Sequence, residues 1–116
     1  MIFLVATALL LLLNALLWLP LLLMKRPLHI VTRRMPRLKG DFPAGVTFLF
    51  LVFVREGFDS EDLRRHEAVH FRQFRRWSPL GFALLYLASS LYWLLRTGGL
   101  WQAYRNNRLE REARGE

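Results

Sequence analysis

The sequence predicts an α+β membrane protein, in which a transmembrane helix is followed by a short two-stranded β element and a mainly helical region. Three patterns predict this class. Residues 1–24 carry no charged side chain, and residues 28–32 and 46–54 are β-forming apolar runs. Within residues 61–77, side chains three or four positions apart fall on one face of a helix. The chain has 116 residues, is 53% hydrophobic and has a formal net charge of +8, which favours a membrane surface over nucleic acid as its partner. The absence of cysteine excludes disulfide scaffolds, thiol nucleophiles and cysteine-type zinc sites.

The first 24 residues form the predicted membrane anchor, and residues 25–116 form the predicted domain. A helix of this length reaches about 36 Å, which is enough to cross a hydrocarbon core of about 30 Å. A cleaved signal peptide is the alternative, but the segment lacks a basic start and a small-residue cleavage site, and Lys25 and Arg26 follow it at once. Residues 25–39 contain six basic residues and no acidic one. The positive-inside rule therefore places the domain in the cytoplasm, and we expect a membrane of the bacterial inner-membrane type.

The middle of the chain predicts two paired strands. Residues 28–32 form a short β-branched run, and residues 46–54 form an apolar run that is too short to span a membrane as a helix. The Gly- and Pro-containing stretch at 37–45 predicts a turn between them. We therefore expect the 46–54 strand to be buried on both faces and paired with 28–32.

A capped helix is predicted after the strands. Asp59 or Ser60 is suited to the N-cap position, and acidic residues occupy the first turn, where the helix dipole favours them. The helical pattern continues to Trp77, and Ser78-Pro79 is expected to end it.

This helix carries the motif His66-Glu67-x-x-His70. Histidines four residues apart on a helix project from the same face, so both imidazoles can bind a single zinc ion. Glu67 would flank the open coordination position, where it can take a proton from an activated water. Catalytic zinc usually has three protein ligands, and the carboxylates Glu110 and Glu112 are the candidates for the third.

The longer pattern His66-Glu67-x-x-His70-x-x-Gln73, followed by Glu110-x-x-Ala113, resembles the gluzincin-type zinc metallopeptidases, in the small H-E-x-x-H-x-x-Q form. More loosely, it is similar to membrane-integral peptidases of the CaaX-protease kind. The resemblance covers about residues 46–114. It implies a minimal gluzincin-like fold, peptide hydrolysis with one Zn²⁺ ion, and Glu110 as the third metal ligand, with Glu112 at a variable position. The chain departs from the family at Arg114, where an aspartate often orients a metal-binding histidine.

Other polar residues near the motif are candidates for supporting roles. Gln73 could contact a metal ligand from the same helix, and Asn106 or Asn107 could support a ligand from one turn before Glu110. Tyr104 or Arg105 could polarise a substrate carbonyl or stabilise an oxyanion.

A second hydrophobic helix is predicted over residues 80–95. Sixteen residues give about 24 Å of helix, which is marginal for a crossing. A crossing would also place His66 and Glu110 on opposite sides of the bilayer. We therefore expect this helix to pack back onto the His66-containing helix or to lie in the membrane interface, followed by a last helix from about Leu100 to Arg114.

These patterns predict a membrane-anchored zinc metallopeptidase that acts on a peptide or protein and contacts membrane lipids. One alternative is a catalytically inactive zinc-binding membrane protein. Another is a basic membrane-surface interaction protein, in which the arginines around the motif contact anionic lipid headgroups. We expect no nucleic-acid partner, because the arginines form no recognised nucleic-acid-binding motif.

Overall fold

The computed structural model describes every residue except Leu38, Lys39 and Asp41. The chain folds into a mixture of helices and a small sheet. The elements are α1 (Ile2–Leu23), β1 (Leu28–Thr32), β2 (Gly45–Phe48), β3 (Leu51–Arg55), α2 (Glu61–Thr97), α3 (Leu100–Asn106) and α4 (Arg108–Ala113). The predicted turn at 37–45 falls partly on the three residues outside the described part of the chain.

The three strands form one sheet in the order β1-β3-β2. β1 pairs in parallel with β3, so Leu28 lies opposite Leu51, and β2 pairs antiparallel with β3, so Phe48 also lies opposite Leu51. β3 is the central and most buried strand, and β2 is an edge strand that faces α2.

The prediction of one strand over 46–54 is wrong, because the chain turns at Leu49 and Phe50 to form the β2–β3 hairpin. Leu49 has a left-handed φ of 56°, a conformation in which hairpins usually place glycine, asparagine or aspartate. Its side chain is buried beside Leu21 and Phe71, and this burial compensates for the unfavourable backbone. The pairing of 28–32 with the second part of this run is confirmed.

α2 consists of two halves that meet at a break. Ser60 caps its start by accepting a hydrogen bond from the Leu63 amide, as predicted. Ser78 has a non-helical φ of 68° at the predicted Ser78-Pro79 interruption. The rings of Phe74 and Phe82 then stack at 3.9 Å, whereas residues eight apart on a straight helix are separated by about 12 Å. The second half (79–97) therefore folds back against the first half (61–77), as expected from the sequence.

The prediction of one final helix from Leu100 to Arg114 is also wrong, because it is divided into α3 and α4 at Asn107. Asn107 leaves the helical conformation with a ψ of 129°, and its side-chain oxygen accepts from the amides of Leu109 and Glu110 at the start of α4. The break turns α4 toward α2.

The hydrophobic core lies where the end of α1, the hairpin turn and α2 meet. Its buried members are Leu21, Leu49, Phe71 and Phe74. Most of α1 projects beyond this core with exposed leucines on every side, and by length and composition both α1 and α2 could cross a membrane.

Candidate metal centre

Three candidate ligands converge between α2 and α4. Oε2 of Glu110 lies 3.2 Å from Nε2 of His66 and 3.1 Å from Nε2 of His70. One ligand atom from each of the three side chains falls within 4.8 Å of the other two. The helical repeat aligns the two histidines, and the fold-back of α2 together with the break at Asn107 brings in Glu110, 40 residues after His70.

Gln73 determines which nitrogen of His70 carries a proton. Its Nε2 donates to the carbonyl oxygen of Leu109 at 3.0 Å and to Oε1 of Glu112 at 3.3 Å, and both of these groups can only accept. Its Oε1 therefore faces Nδ1 of His70, at 2.8 Å, and that nitrogen must donate. A neutral His70 consequently presents the lone pair of Nε2 toward Glu110.

The three side chains form a donor set that could hold a metal ion. When His70 is neutral, its Nε2 and Oε2 of Glu110 face each other as two lone-pair atoms at 3.1 Å, and a cation bound between them would stabilise this arrangement. Ligand atoms held at about 2.0–2.1 Å around a tetrahedral zinc lie about 3.3–3.4 Å apart, close to the separations from Glu110 to both histidines. Two imidazoles and one carboxylate are also a ligand set typical of catalytic zinc.

Glu110 is held in the ionised form that a metal ligand requires. Burial alone would raise the pKa of its carboxyl group. Without a metal ion, hydrogen bonds between Glu110 and the ring nitrogens of His66 and His70 outweigh burial and hold this pKa well below its usual value. The Tyr86 hydroxyl donates to Oε1 of Glu110 at 2.9 Å, and Tyr104 lines the same cleft as this carboxylate. Burial, reinforced by the charge of Glu110, raises the pKa of Tyr104.

Glu67 lies beside the three ligands and is supported by β2. Only 4% of this residue is exposed, and its Oε2 is 2.5 Å from the hydroxyl of Thr47. Close approach of the strand depends on Gly45, since a Cβ there would lie 3.1 Å from both Oε1 of Glu67 and a methyl carbon of Leu63. The hairpin thus orients a carboxylate that the helix alone would leave free to rotate.

A cleft of about 670 Å³ opens onto these groups. Glu67, His70 and Glu110 line its polar part. Its other walls are mainly apolar and aromatic: Phe42, Pro43, Val46, Phe82, Leu100 and Trp101. The guanidinium of Arg55 holds one wall by donating to the carbonyl oxygen of Pro43 at 3.0 Å. The cleft is large enough for several side chains of an extended chain.

The remaining candidates take different positions. Glu112 is exposed and contacts Gln73, so within the described part of the chain Glu110, and not Glu112, belongs to the ligand cluster. Asn107 supports Glu110 indirectly through the α4 cap, and its Nδ2 donates to the main-chain oxygen of Tyr86. Asn106 instead donates to Gln102 within its own helix, away from the ligands.

Arg105 is exposed and lies outside the lining of the cleft, whereas Tyr104, the alternative candidate, is part of that lining. Its main-chain oxygen accepts from Arg114, which also pairs with Glu116 at 2.8 Å. The position where gluzincins often have an aspartate is therefore part of a surface contact.

Two site residues were not identified from the sequence as such. Thr47 lies 20 positions before Glu67 within an apolar run, and Tyr86 lies in the second hydrophobic helix among residues suited to a membrane interface. Thr47 is the only hydroxyl residue in the 46–54 run, and this isolated polar side chain is the signal that could have identified it.

The chain was compared with protein-family models, with curated proteins and with solved structures, and none of them matches.

Proposed function

We propose that the protein is a membrane-anchored zinc-dependent metallopeptidase. The observation that carries this proposal is the convergence of His66, His70 and Glu110 from two separate helices, with a buried Glu67 beside them in the same cleft. A site that only bound metal for stability would have no need of a second carboxylate, Glu67, beside the three ligands.

Each side chain has a separate role in the proposed peptide hydrolysis. A zinc ion held by the three ligands would supply Lewis acidity for a substrate carbonyl and acidify a water molecule. Glu67 accepts a proton from the attacking water and returns it to the leaving amine. Thr47 holds Oε2 of Glu67, which leaves Oε1 to exchange protons. The hydroxyl of Tyr104 lines the cleft and is suited to donate to a developing oxyanion.

The substrate proposed for this site is an extended peptide paired with the free edge of β2. Phe48 lies opposite Leu51, and the Arg55 amide bonds to the Ala44 carbonyl. The antiparallel alternation then directs the main-chain groups of Gly45 and Thr47 away from β3. Both residues line the cleft, so a strand added at this edge would pass in front of Glu67.

The membrane part of the proposal is supported by exposed apolar side chains. α1 exposes apolar side chains around most of its circumference, and the second half of α2 presents an outward stripe of Leu84, Leu87, Leu91 and Leu95. Lipid is the environment in which such surfaces are stable. The basic residues after α1 favour a cytoplasmic side for the cleft, and the membrane proposed is of the bacterial inner-membrane type.

Metal content and peptide hydrolysis of the detergent-purified protein test the proposal. We expect about one zinc per chain in the wild type and in Glu67→Gln and Glu112→Ala, and loss of zinc in His66→Ala and Glu110→Ala. Hydrolysis of a mixed peptide library should be detectable in the wild type and at least about 100-fold slower in Glu67→Gln. Zinc binding without hydrolysis of peptide or protein substrates would favour the non-catalytic alternative, and a zinc-free wild type after metal supplementation would reject the metal site.

A further inference from the structure

The α1 helix contains one strongly polar side chain in its apolar length, and this side chain contacts the break in α2. Nδ2 of Asn14 donates to Oγ of Ser78 at 3.1 Å, and Oδ1 of Asn14 accepts from the main-chain amide of Leu80 at 2.7 Å. Leu80 follows Pro79 at the start of the second half of α2, where the amides have no helical acceptor. Asn14 therefore acts as an N-cap supplied by a different helix.

One turn farther along α1, Trp18 satisfies the other side of the same break. Proline has no N–H, so Pro79 leaves the carbonyl oxygen of Arg75, four residues earlier, without its helical donor. Nε1 of Trp18 donates to this oxygen at 2.8 Å. Asn14 and Trp18 thus each pair with one main-chain group at the break, one in each half of α2, while the Ser78 hydroxyl accepts from the Gly81 amide.

The break controls the position of the metal-binding groups. The first half of α2 carries His66 and His70. The second half carries Tyr86, whose hydroxyl bonds to Glu110 and whose main-chain oxygen accepts from Asn107. The angle between the halves consequently sets how closely Glu110 approaches the histidines.

We propose that α1 is a structural part of the metal centre, in which Asn14 and Trp18 are positioning residues that fix the angle of α2. A helix that served only as an anchor would need no asparagine in its apolar length, where an unpaired amide is costly. Here each of the two α1 side chains is paired with a group exposed by the break. The inference concerns the geometry of the site and holds whether or not the site hydrolyses peptides.

Spin-label distances test the proposal directly in metal-free protein. The chain has no cysteine, so Glu61→Cys on α2 and Arg111→Cys on α4, both at exposed positions, introduce the only two labels. We expect a single narrow distance distribution in this background. Adding Asn14→Leu or the milder Trp18→Phe should broaden or shift it.

Thr7→Val is the matched control, since it also removes a polar group from α1, but the Thr7 hydroxyl bonds only to Phe3 of its own helix. We expect it to leave the distribution unchanged. Distributions identical to the control in both Asn14→Leu and Trp18→Phe would overturn the proposal. An Asn14→Gln variant that recovers the narrow distribution would support it and separate positioning from a general loss of folding.

Zinc affinity provides a second readout. In folded protein, Asn14→Leu and Trp18→Phe should raise the Kd for zinc about tenfold or more, as expected when the support of a metal ligand is removed. A purely structural role would lower the melting temperature and leave this Kd unchanged, which would also overturn the proposal. The distance measurement needs no metal, so it tests the role of Asn14 and Trp18 even if the wild type neither binds zinc nor hydrolyses peptides. That failure would reject the proposed function only.

Discussion

Gln73 is the residue on which the protonation of His70 depends, and its replacement should weaken metal binding. Gln73→Leu removes the acceptor for Nδ1–H of His70, so neither the tautomer nor the ring orientation remains fixed. We expect the Kd for zinc to rise about 10–100-fold, measured by competition with a chromophoric chelator. The buried Leu109 carbonyl also loses its donor, so a fall of about 1–3 kcal/mol in the free energy of unfolding should accompany the change.

Two further variants separate these effects. Gln73→Glu keeps an acceptor for His70 but loses the donor to Leu109, so its zinc affinity should lie closer to wild type than that of Gln73→Leu. Glu112→Gln alters only an exposed partner of Gln73 and should leave zinc affinity unchanged. Equal zinc affinity in Gln73→Leu and wild type would contradict the tautomer assignment.

Thr47 should affect the reaction without affecting metal binding. Thr47→Val keeps the shape of the side chain and removes the hydroxyl that holds Oε2 of Glu67. We expect kcat for peptide hydrolysis to fall about tenfold, a part of the 10²–10⁴-fold typically supplied by a general base, with unchanged zinc content. Thr97→Val is the control, since that hydroxyl donates to the Trp93 carbonyl oxygen and accepts from the Gly99 amide, and neither group contacts Glu67. A parallel loss of zinc in Thr47→Val would show that the hairpin supports the ligands instead of the base.

Among individual site residues, the sequence predicts those that are close to one another in the chain, but not those that meet only through tertiary packing. His66, Glu67 and His70 form a local motif whose geometry follows from the helical repeat. Glu110 was selected over Glu112 through resemblance to a family, because periodicity alone could not say which carboxylate would face α2. Thr47 contacts Glu67 only through tertiary packing, and a single threonine in an apolar strand carries no periodic signal.

Among the elements, α4 depends on one side chain for its start. Asn107 is fully buried; it caps α4 with Oδ1 and joins α4 to the second half of α2 with Nδ2. Asn107→Ala should lower the free energy of unfolding by about 1–3 kcal/mol, because it removes a cap and leaves buried groups without partners. The Kd for zinc should rise as well, since Glu110 lies in the first turn of α4. Thermal unfolding in detergent and chelator competition measure the two effects.

The adjacent Asn106 is a matched control for this prediction. Asn106→Ala changes the same residue type one position earlier, but its amide contacts only Gln102 in α3. We expect a change of about 0.5 kcal/mol or less in stability and no change in zinc affinity. Similar effects from both substitutions would indicate that α3 and α4 respond to helix content in general, and not to the cap.

The order of the elements was predictable, and the positions where they bend were only partly so. Ser78-Pro79 marks the α2 break in the sequence, because proline has no amide and clashes with the preceding turn. The turn at Leu49 has no such signal in the sequence, because it contains no glycine, asparagine or aspartate. Burial of the Leu49 side chain compensates for its left-handed backbone instead. The sequence around Asn107 reads as continuous helix, and the break there depends on a partner in α2 that helix propensity does not include.

Over the whole molecule, the same few contacts connect the fold, the apolar helix α1 and the candidate metal centre. A chain of 116 residues can bury only a modest core, and here that core includes the end of α1 together with the hairpin turn and α2. The ends of the α2 break are satisfied by side chains of a neighbouring helix, which is how interrupted helices are tolerated inside membranes.

The proposed orientation predicts a labelling pattern in intact bacterial cells. Arg111→Cys lies on α4 beside the metal centre and Ile2→Cys lies at the start of α1, and both positions are exposed. Because the basic residues after α1 retain that end in the cytoplasm, a membrane-impermeant maleimide should label Ile2→Cys in intact cells and Arg111→Cys only after the membrane is opened. Labelling of both positions before opening, or of neither, would mean that α1 does not separate them across the bilayer. Labelling of Arg111→Cys alone in intact cells would place the metal centre outside, where its substrates would be extracytoplasmic peptides.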